Sequence, residues 1–432
     1  MQLTKTNKNS SNFNEKMSNP SNLIYKSIKS VDIACNCFGL KPINLETNEE
    51  ENANMKHSRQ DFVYYLFYCS LFTILGAYTA GTLFSERDKE RIESDAKNKF
   101  AILITVMILL MFFIISTNYS MRKKISSSVT WFGKIDTILL GFNMKINYDI
   151  LRKDNKGLMI LMFSSITLRS IIMIILIDLD FLQSVTMFLA LTVKALTKYQ
   201  FISYVNQLNI RFERVNNGLQ EIFDKNTKDK IIFNHLNNRR EISEEMLVMC
   251  RLHHKLCYLM RILNKAFGLQ QLLSIAVSVC NILFQTYYLY CVLSGKHEKT
   301  FFTISCPLLW TFDEMMEIQL LVSACAVTCE NANATAVILH EMRNDNYDVA
   351  LEDRVQTYSL QMLHQKIEFS AMGYFVIDYT LSYSIIGAVT TYLVIFIQFD
   401  QSQSSGTTAT NITNETTVFK INTSTTTTLA MN

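Results

Sequence analysis

Thr391-Tyr392-Leu393-Val394-Ile395-Phe396-Ile397-Gln398-Phe399 closes an apolar segment that begins near Phe375. Behind it lies a Ser/Thr-rich stretch with three sequons, Asn411-Ile412-Thr413, Asn414-Glu415-Thr416 and Asn422-Thr423-Ser424. So long a run of apolar side chains is hidden from water only by a bilayer, whose hydrocarbon core of about 30 Å takes about 20 helical residues. Glycosylation at Asn411, Asn414 and Asn422 requires that they face the lumen or the cell exterior. The carboxyl end is therefore expected outside.

Composition points the same way. Of 432 residues 49% are hydrophobic and 18% charged, and only three are Pro and twelve Gly. Long helices suit that balance better than strands and turns. The ten Cys show no paired spacing of a zinc site and no disulfide framework. Cys291 and Cys306 flank one short connection and are the pair that could bridge. The polar opening, Met1 to Asn19, reads as disordered and not as a signal peptide.

Seven apolar runs follow: Phe62–Phe84, Phe100–Thr117, Leu158–Ile177, Phe181–Val205, Phe267–Leu293, Phe302–Thr328 and Ala371–Phe399. Arg169 sits in the third, and Lys194 and Lys198 interrupt the fourth. Val31–Ile43 is too short to cross and is expected to lie at the interface. An odd number of crossings with the end outside puts the start inside. Of the 41 Lys and Arg, 30 then fall on cytoplasmic stretches and 8 on external ones, as the positive-inside rule demands. The predicted fold is an all-α membrane protein of seven transmembrane helices in inverted topology, which a G-protein-coupled receptor does not have. The divisions are a cytoplasmic segment 1–60, membrane helices in 61–204, a cytoplasmic helical stretch 205–265, membrane helices in 266–329, a cytoplasmic connection 330–370, the last helix 371–399 and an external tail 400–432.

Residues 205–265 are polar but patterned. Leu208, Phe212, Val215, Leu219 and Ile222 recur every three or four residues, as do Met246, Cys250, His253, Cys257 and Met260. Such stripes seek a partner helix. Either an intramolecular hairpin or a subunit interface satisfies them.

The nine residues Thr391–Phe399 resemble the signature of the insect gustatory receptors: Thr-Tyr, five hydrophobic residues, then Gln-Phe. His364–Phe369, Gly373–Phe375 and Asp378–Leu381 are similar to the approach to that family's last helix. The resemblance is sharp over about 40 residues and elsewhere rests on length and topology. It implies a taste receptor that is a ligand-gated, nonselective cation channel, related to the insect olfactory receptors. It also implies four subunits, identical or mixed with relatives, around a pore lined by the seventh helices. Residues 205–265 would then anchor subunits to one another. The implied location is the plasma membrane of sensory-neuron dendrites, in contact with lipid, and the implied ligand is a small-molecule tastant such as a sugar or bitter compound.

On the last helix Ala388, Thr391, Ile395 and Gln398 form one stripe, with Tyr392 and Phe399 on its flank. A ring of Ile395 or Phe399 from four chains would stop ions by dewetting, and a small rotation that brings Gln398 inward would admit water and cations. Thr391 and Tyr392 fit helix packing better. A ligand site is expected from polar and aromatic residues in the outer halves of the membrane helices: Arg169, Gln285, Tyr288, Trp310, Asp313 and Glu314. Arg169 could instead be an ion-pair partner of Asp313, Glu314 or Glu317, and Pro307 is expected at a helix start.

No catalytic, cofactor or nucleic-acid motif emerges. Gly76 to Thr82 lacks the Lys of a phosphate loop, and His340-Glu341 has Asn344 where a zincin has its second His. Basic residues do not interleave with aromatics as nucleic-acid binders require. The competing readings are a seven-helix receptor that signals through a partner protein and a polytopic transporter.

Overall fold

The computed structural model describes residues 20–40, 59–86, 94–177, 181–231, 236–296, 298–342, 349–364 and 367–402. The three sequons lie outside them. The described chain is almost wholly helical: α1 (Pro20–Cys37), α2 (Arg59–Glu86), α3 (Ser94–Gly141), α4 (Tyr148–Ile177), α5 (Phe181–Ile231), α6 (Leu236–Leu293), α7 (Phe301–Met342), α8 (Val349–His364) and α9 (Tyr379–Ser402). Five are long and apolar enough to cross a membrane: α2 over Phe62–Gly81, α3 over Thr105–Gly141, α6 over Glu244–Leu293, α7 over Phe301–Glu341, and α9. The third and fourth expected segments are helical, on α4 and α5, but do not reach that mark among the described residues. In α5 the reason is visible, because Gln183, Lys194, Lys198 and Gln200 dilute its apolar run. All ten Cys, including Cys291 and Cys306, are free thiols.

Two compact units divide the chain: Met1–Val277 with Met316–Ser382, and Ser278–Met315 with Tyr383–Asn432. In the first unit both polar-stretch stripes are buried, and the Phe212 ring meets His253 edge-on with centroids 5.5 Å apart. Within the chain the two stripes meet at Phe212 and His253, and His253 Nε2 also lies 2.9 Å from the Ala332 carbonyl of α7.

The amino-terminal helix α1 corrects the expectation of an interfacial Val31–Ile43. Its stripe starts earlier, at Ile24, and continues through Ile28, Val31 and Cys35, all buried, while Lys26, Lys29 and Ile33 face out. Spacings of four, three and four put that stripe on one side, where α3, α4 and α5 cover it. Ser27 locks the register: its hydroxyl accepts from Gln207 Nε2 at 3.1 Å, and its carbonyl accepts from Asn155 Nδ2 at 3.0 Å. At the other end Tyr64 donates its hydroxyl to the Asn36 carbonyl and Tyr68 to that of Cys37, at 2.7 Å for the latter. These bonds satisfy carbonyls that a helix terminus leaves open.

Two further boundaries differ from expectation. The last helix, expected from Ala371, starts at Tyr379, because residues 370–376 form a tight antiparallel hairpin with Ser370 opposite Val376 and Ala371 opposite Phe375. Its loop is the three residues Met372 to Tyr374: Met372 and Gly373 have φ of 55° and 81°, and the Tyr374 N–H donates to the Ala371 carbonyl at 3.0 Å. Asp378 then caps α9 by accepting from the Thr380 N–H at 3.0 Å. Pro307 lies inside α7, not at its start. The start is set by Thr300 and Thr303, each of whose hydroxyls accepts the other's backbone N–H, at 3.2 and 2.9 Å.

Candidate functional site

Five of the expected ligand residues lie along the α6–α7 seam of the second unit. Asn281 Nδ2 on α6 donates to Glu314 Oε1 on α7 at 3.1 Å, and both residues are buried. α6 and α7 are joined by residues 294–300, so they run antiparallel past this bond. One turn further along the seam Gln285 follows Asn281, Trp310 precedes Glu314, and both are buried. Tyr288 lies seven residues from Asn281 and so continues the same face; it is half-buried, as is Asp313 beside Glu314. Asn281, which fixes the register of these side chains, was not among the expected ligand residues. Its 281–285–288 spacing to Gln285 and Tyr288 was the available signal.

Arg169 belongs to the first unit and has a different environment. Its Nη2 lies 3.5 Å from Glu317 Oε1. Lys198 Nζ donates to Glu317 Oε2 at 3.0 Å, with Lys194 Nζ at 3.8 Å from the same oxygen. All four side chains are at most 5% exposed. Ions so far from water are tolerated only when paired. The two lysines that break the apolar run of α5 are thereby explained, since a carboxylate on α7 meets them. Of the three acidic partners considered for Arg169, Glu317 is the one whose ion pair the geometry shows.

The signature residues sit on α9, the least buried of the five candidate spans, with 17% of its apolar window covered. Ile385 and Val389 are its buried residues in the second unit, and Ala388 and Ile395 are half-covered. Thr391, Gln398 and Phe399 are exposed. Thr391 and Gln398 each lie two residues after a member of the Val389–Phe396 side, about 200° around the helix. Thr391 Oγ1 donates to the Gly387 carbonyl of its own helix at 2.9 Å, and Tyr392 is 54% exposed. Among the described residues no group of His, Cys, Asp or Glu could hold a metal ion.

Known proteins resemble this chain in sequence and in fold. It is 32% identical over 167 residues to a Drosophila melanogaster protein named as gustatory receptor 28b, covering 37% of this chain and 34% of the relative. Gustatory receptor 68a of the same fly is 27% identical over 242 residues, covering 55% of this chain and 56% of the relative. The chain thus spans between a third and somewhat over half of these curated relatives. The solved olfactory receptor OR5 of the insect Machilis hrabei superposes with a TM-score of 0.58 at 12% identity, covering 86% of this chain and 97% of that one. Its complex with eugenol gives 0.55 at 13% identity, covering 87% and 98%. At that identity the likeness speaks for the fold. A family profile described as 7tm Chemosensory receptor matches residues 33–403, which take in every helix from the end of α1 through α9. With the gustatory signature on its last helix, the chain belongs to the 7tm chemosensory receptor family.

Proposed function

We propose that the protein is a taste receptor acting as a ligand-gated, nonselective cation channel. It would open to a small soluble tastant, as four identical or related chains around α9. The observation that carries this reading is α9 itself: a 24-residue apolar helix, 17% buried, with Thr391, Gln398 and Phe399 of the signature left uncovered. A lone helix in lipid has no use for an exposed Gln398, whereas four copies around an aqueous axis do. The gate is assigned to Ile395, Gln398 and Phe399, with Ala388 and Thr391 further along the same pore-facing stripe. Seven crossings, an inside amino end and an outside carboxyl end complete the proposal, with plasma-membrane location in sensory dendrites.

The ligand contacts are assigned to Gln285, Tyr288, Trp310, Asp313 and Glu314, a set of aromatic faces and hydrogen-bonding groups suited to a small polar molecule. That the OR5 relative has been solved with eugenol supports a small organic ligand for the fold. Arg169, because it is paired with Glu317, is assigned to structure. Ligand drives opening only through tighter binding to the open form.

The test is expression of the full chain in cultured cells with current recording and calcium imaging against a tastant panel. Evoked cation currents are expected, and Gln398→Ala should change gating or permeation while surface assembly persists. A surface-expressed chain that gives no current, or a Gln398→Ala protein with unaltered currents, overturns the channel or the gate assignment respectively. Tags on each end, read on unpermeabilised cells, separate this from a receptor that signals through a partner, because only the carboxyl tag should be reached.

A further inference from the structure

The second unit ties α6 to α9 at two points beside the signature. α6 ends in a Schellman cap: Gly295, at φ 80°, donates its N–H to the Val292 carbonyl at 3.2 Å, and the Lys296 N–H reaches the Cys291 carbonyl at 3.0 Å. This cap fixes the Lys296 backbone where a free loop would let it swing. The Lys296 ammonium pairs with the Asp400 carboxylate, with side chains 39% and 18% exposed. The hydrogen bond to Asp400 holds the Lys296 amine above its ordinary range. One turn earlier on the same side of α9, the Phe396 ring meets Tyr287 edge-on at 5.7 Å. Asp400 directly follows Gln398 and Phe399.

We infer that Lys296 and Asp400 are positioning residues of the gate, whose ion pair registers the outer turn of α9 against the end of α6. The inference rests on α9 being the pore helix. A side-chain tip lies about 5 Å from a helix axis, so a rotation of about 40° carries it about 3–4 Å. A turn of α9 large enough to bring Gln398 to the axis therefore moves the Asp400 carboxylate out of reach of an ammonium held by the cap. One exposed pair biases an equilibrium by about fivefold at most. Four pairs that must break together multiply that bias, so the coupling is readable in gating although each bond is weak. Tyr287 on Phe396 supplies a pivot below it.

The test is a charge-reversal cycle on the full chain. Currents are evoked by whichever of fructose, quinine, caffeine or eugenol gives the largest response, with surface biotinylation as the control for expression. Lys296→Ala and Asp400→Ala are each expected to shift the half-activating concentration in the same direction by about three- to tenfold, since both break the one bond. Lys296→Asp with Asp400→Lys should return it toward the unmodified value, a rescue that a fault in folding would not give. Lys296→Gln and Asp400→Asn serve where an alanine variant fails to reach the surface. Shifts that add in the double variant, or that oppose one another, overturn the inference. So does a change of conductance confined to Asp400 variants, which would make Asp400 a cation-concentrating ring at the mouth. Absence of any current from the unmodified, surface-expressed chain defeats the channel reading and the latch with it. Responses in the unmodified chain without coupling in the cycle defeat the latch alone.

Discussion

Two buried carboxylates carry much of the first unit's electrostatics, and they differ in load. Glu317 accepts three cations from α4 and α5, whereas Asp136 on α3 is matched to one: Arg211 Nε lies 2.8 Å from Oδ1 and Nη2 2.5 Å from Oδ2. The fork-on-fork geometry is the strongest form of such a pair. Arg211 also donates from Nη1 to the Gln207 side chain at 2.9 Å, and its guanidinium lies over the Phe132 ring. Tyr148 donates to Asp136 Oδ2 at 2.5 Å. Burial first, and then the neighbouring Asp136 charge, push the Tyr148 hydroxyl well above its ordinary range, so it stays a donor at any physiological pH. Removing the carboxylate leaves a guanidinium with no countercharge in a fully buried site. Asp136→Ala should therefore cost about 3–5 kcal/mol, against about 1 kcal/mol for Tyr148→Phe, which takes away one hydrogen bond. Melting curves of the detergent-solubilised chain, followed by size-exclusion fluorescence, check the ranking. Equal shifts for the two variants would show that the ion pair is not what holds α3 to α5.

At the scale of elements, the hairpin before α9 decides where the last helix starts and how firmly. Asn264 on α6 accepts the Ser370 N–H at 3.1 Å, and Asn333 on α7 accepts the Ile367 N–H at 3.3 Å. Phe369 is buried, with its ring edge-on to Phe201 at 5.6 Å. Gly268 makes the close approach possible, since a Cβ there would lie 3.2 Å from the Met372 backbone nitrogen. Gly268→Val is expected to push the turn off α6 at a cost of about 1–3 kcal/mol. Hydrogen exchange at residues 369–376 should accelerate, and exchange unchanged from the parent would refute the contact. None of this was legible in advance, because Met372 at positive φ carries no Asn-Gly or Asp-Gly signal and the apolar run simply continued through it. The two stripes of residues 208–222 and 246–260 were legible because each needs only helical periodicity to be read, though not which helix would cover them. α1 was half-legible: the sequence drew attention from Val31 onward and missed Ile24 and Ile28, which polar neighbours obscure. The site divided in the same way. Gln285, Trp310 and Glu314 were singled out by residue type and depth, but their register depends on Asn281 across the α6–α7 seam, a tertiary fact. Lys194 and Lys198 read as interruptions until Glu317 was seen opposite them.

For the whole molecule the question is what covers the apolar surface that the chain leaves open. α2 is 22% buried in its span and α9 17%, and both are apolar enough to cross a bilayer. Lipid suffices for α2, whose Val63, Phe67 and Ile74 are plain hydrocarbon and aromatic surface. It does not suffice for α9, whose uncovered face carries Thr391 and Gln398; in hydrocarbon an amide without partners costs several kcal/mol, roughly 4–8 on the cyclohexane scale. The two helices should therefore behave differently toward copies of the chain. A cysteine at Gln398, placed in the full chain in cell membranes, faces three equivalents across a narrow axis if α9 lines a pore. Mild oxidation should then give disulfide-linked dimers, and a short bis-maleimide thioether-linked ones, in high yield, because each thiol can bond only one other. A cysteine at Phe67 on α2 should stay monomeric under the same treatment, its neighbours being acyl chains. Native electrophoresis of the uncrosslinked chain should run at four times the single-chain mass. Efficient crosslinking at Phe67 with none at Gln398 would place α2, not α9, between subunits and would remove the pore from the centre of the assembly.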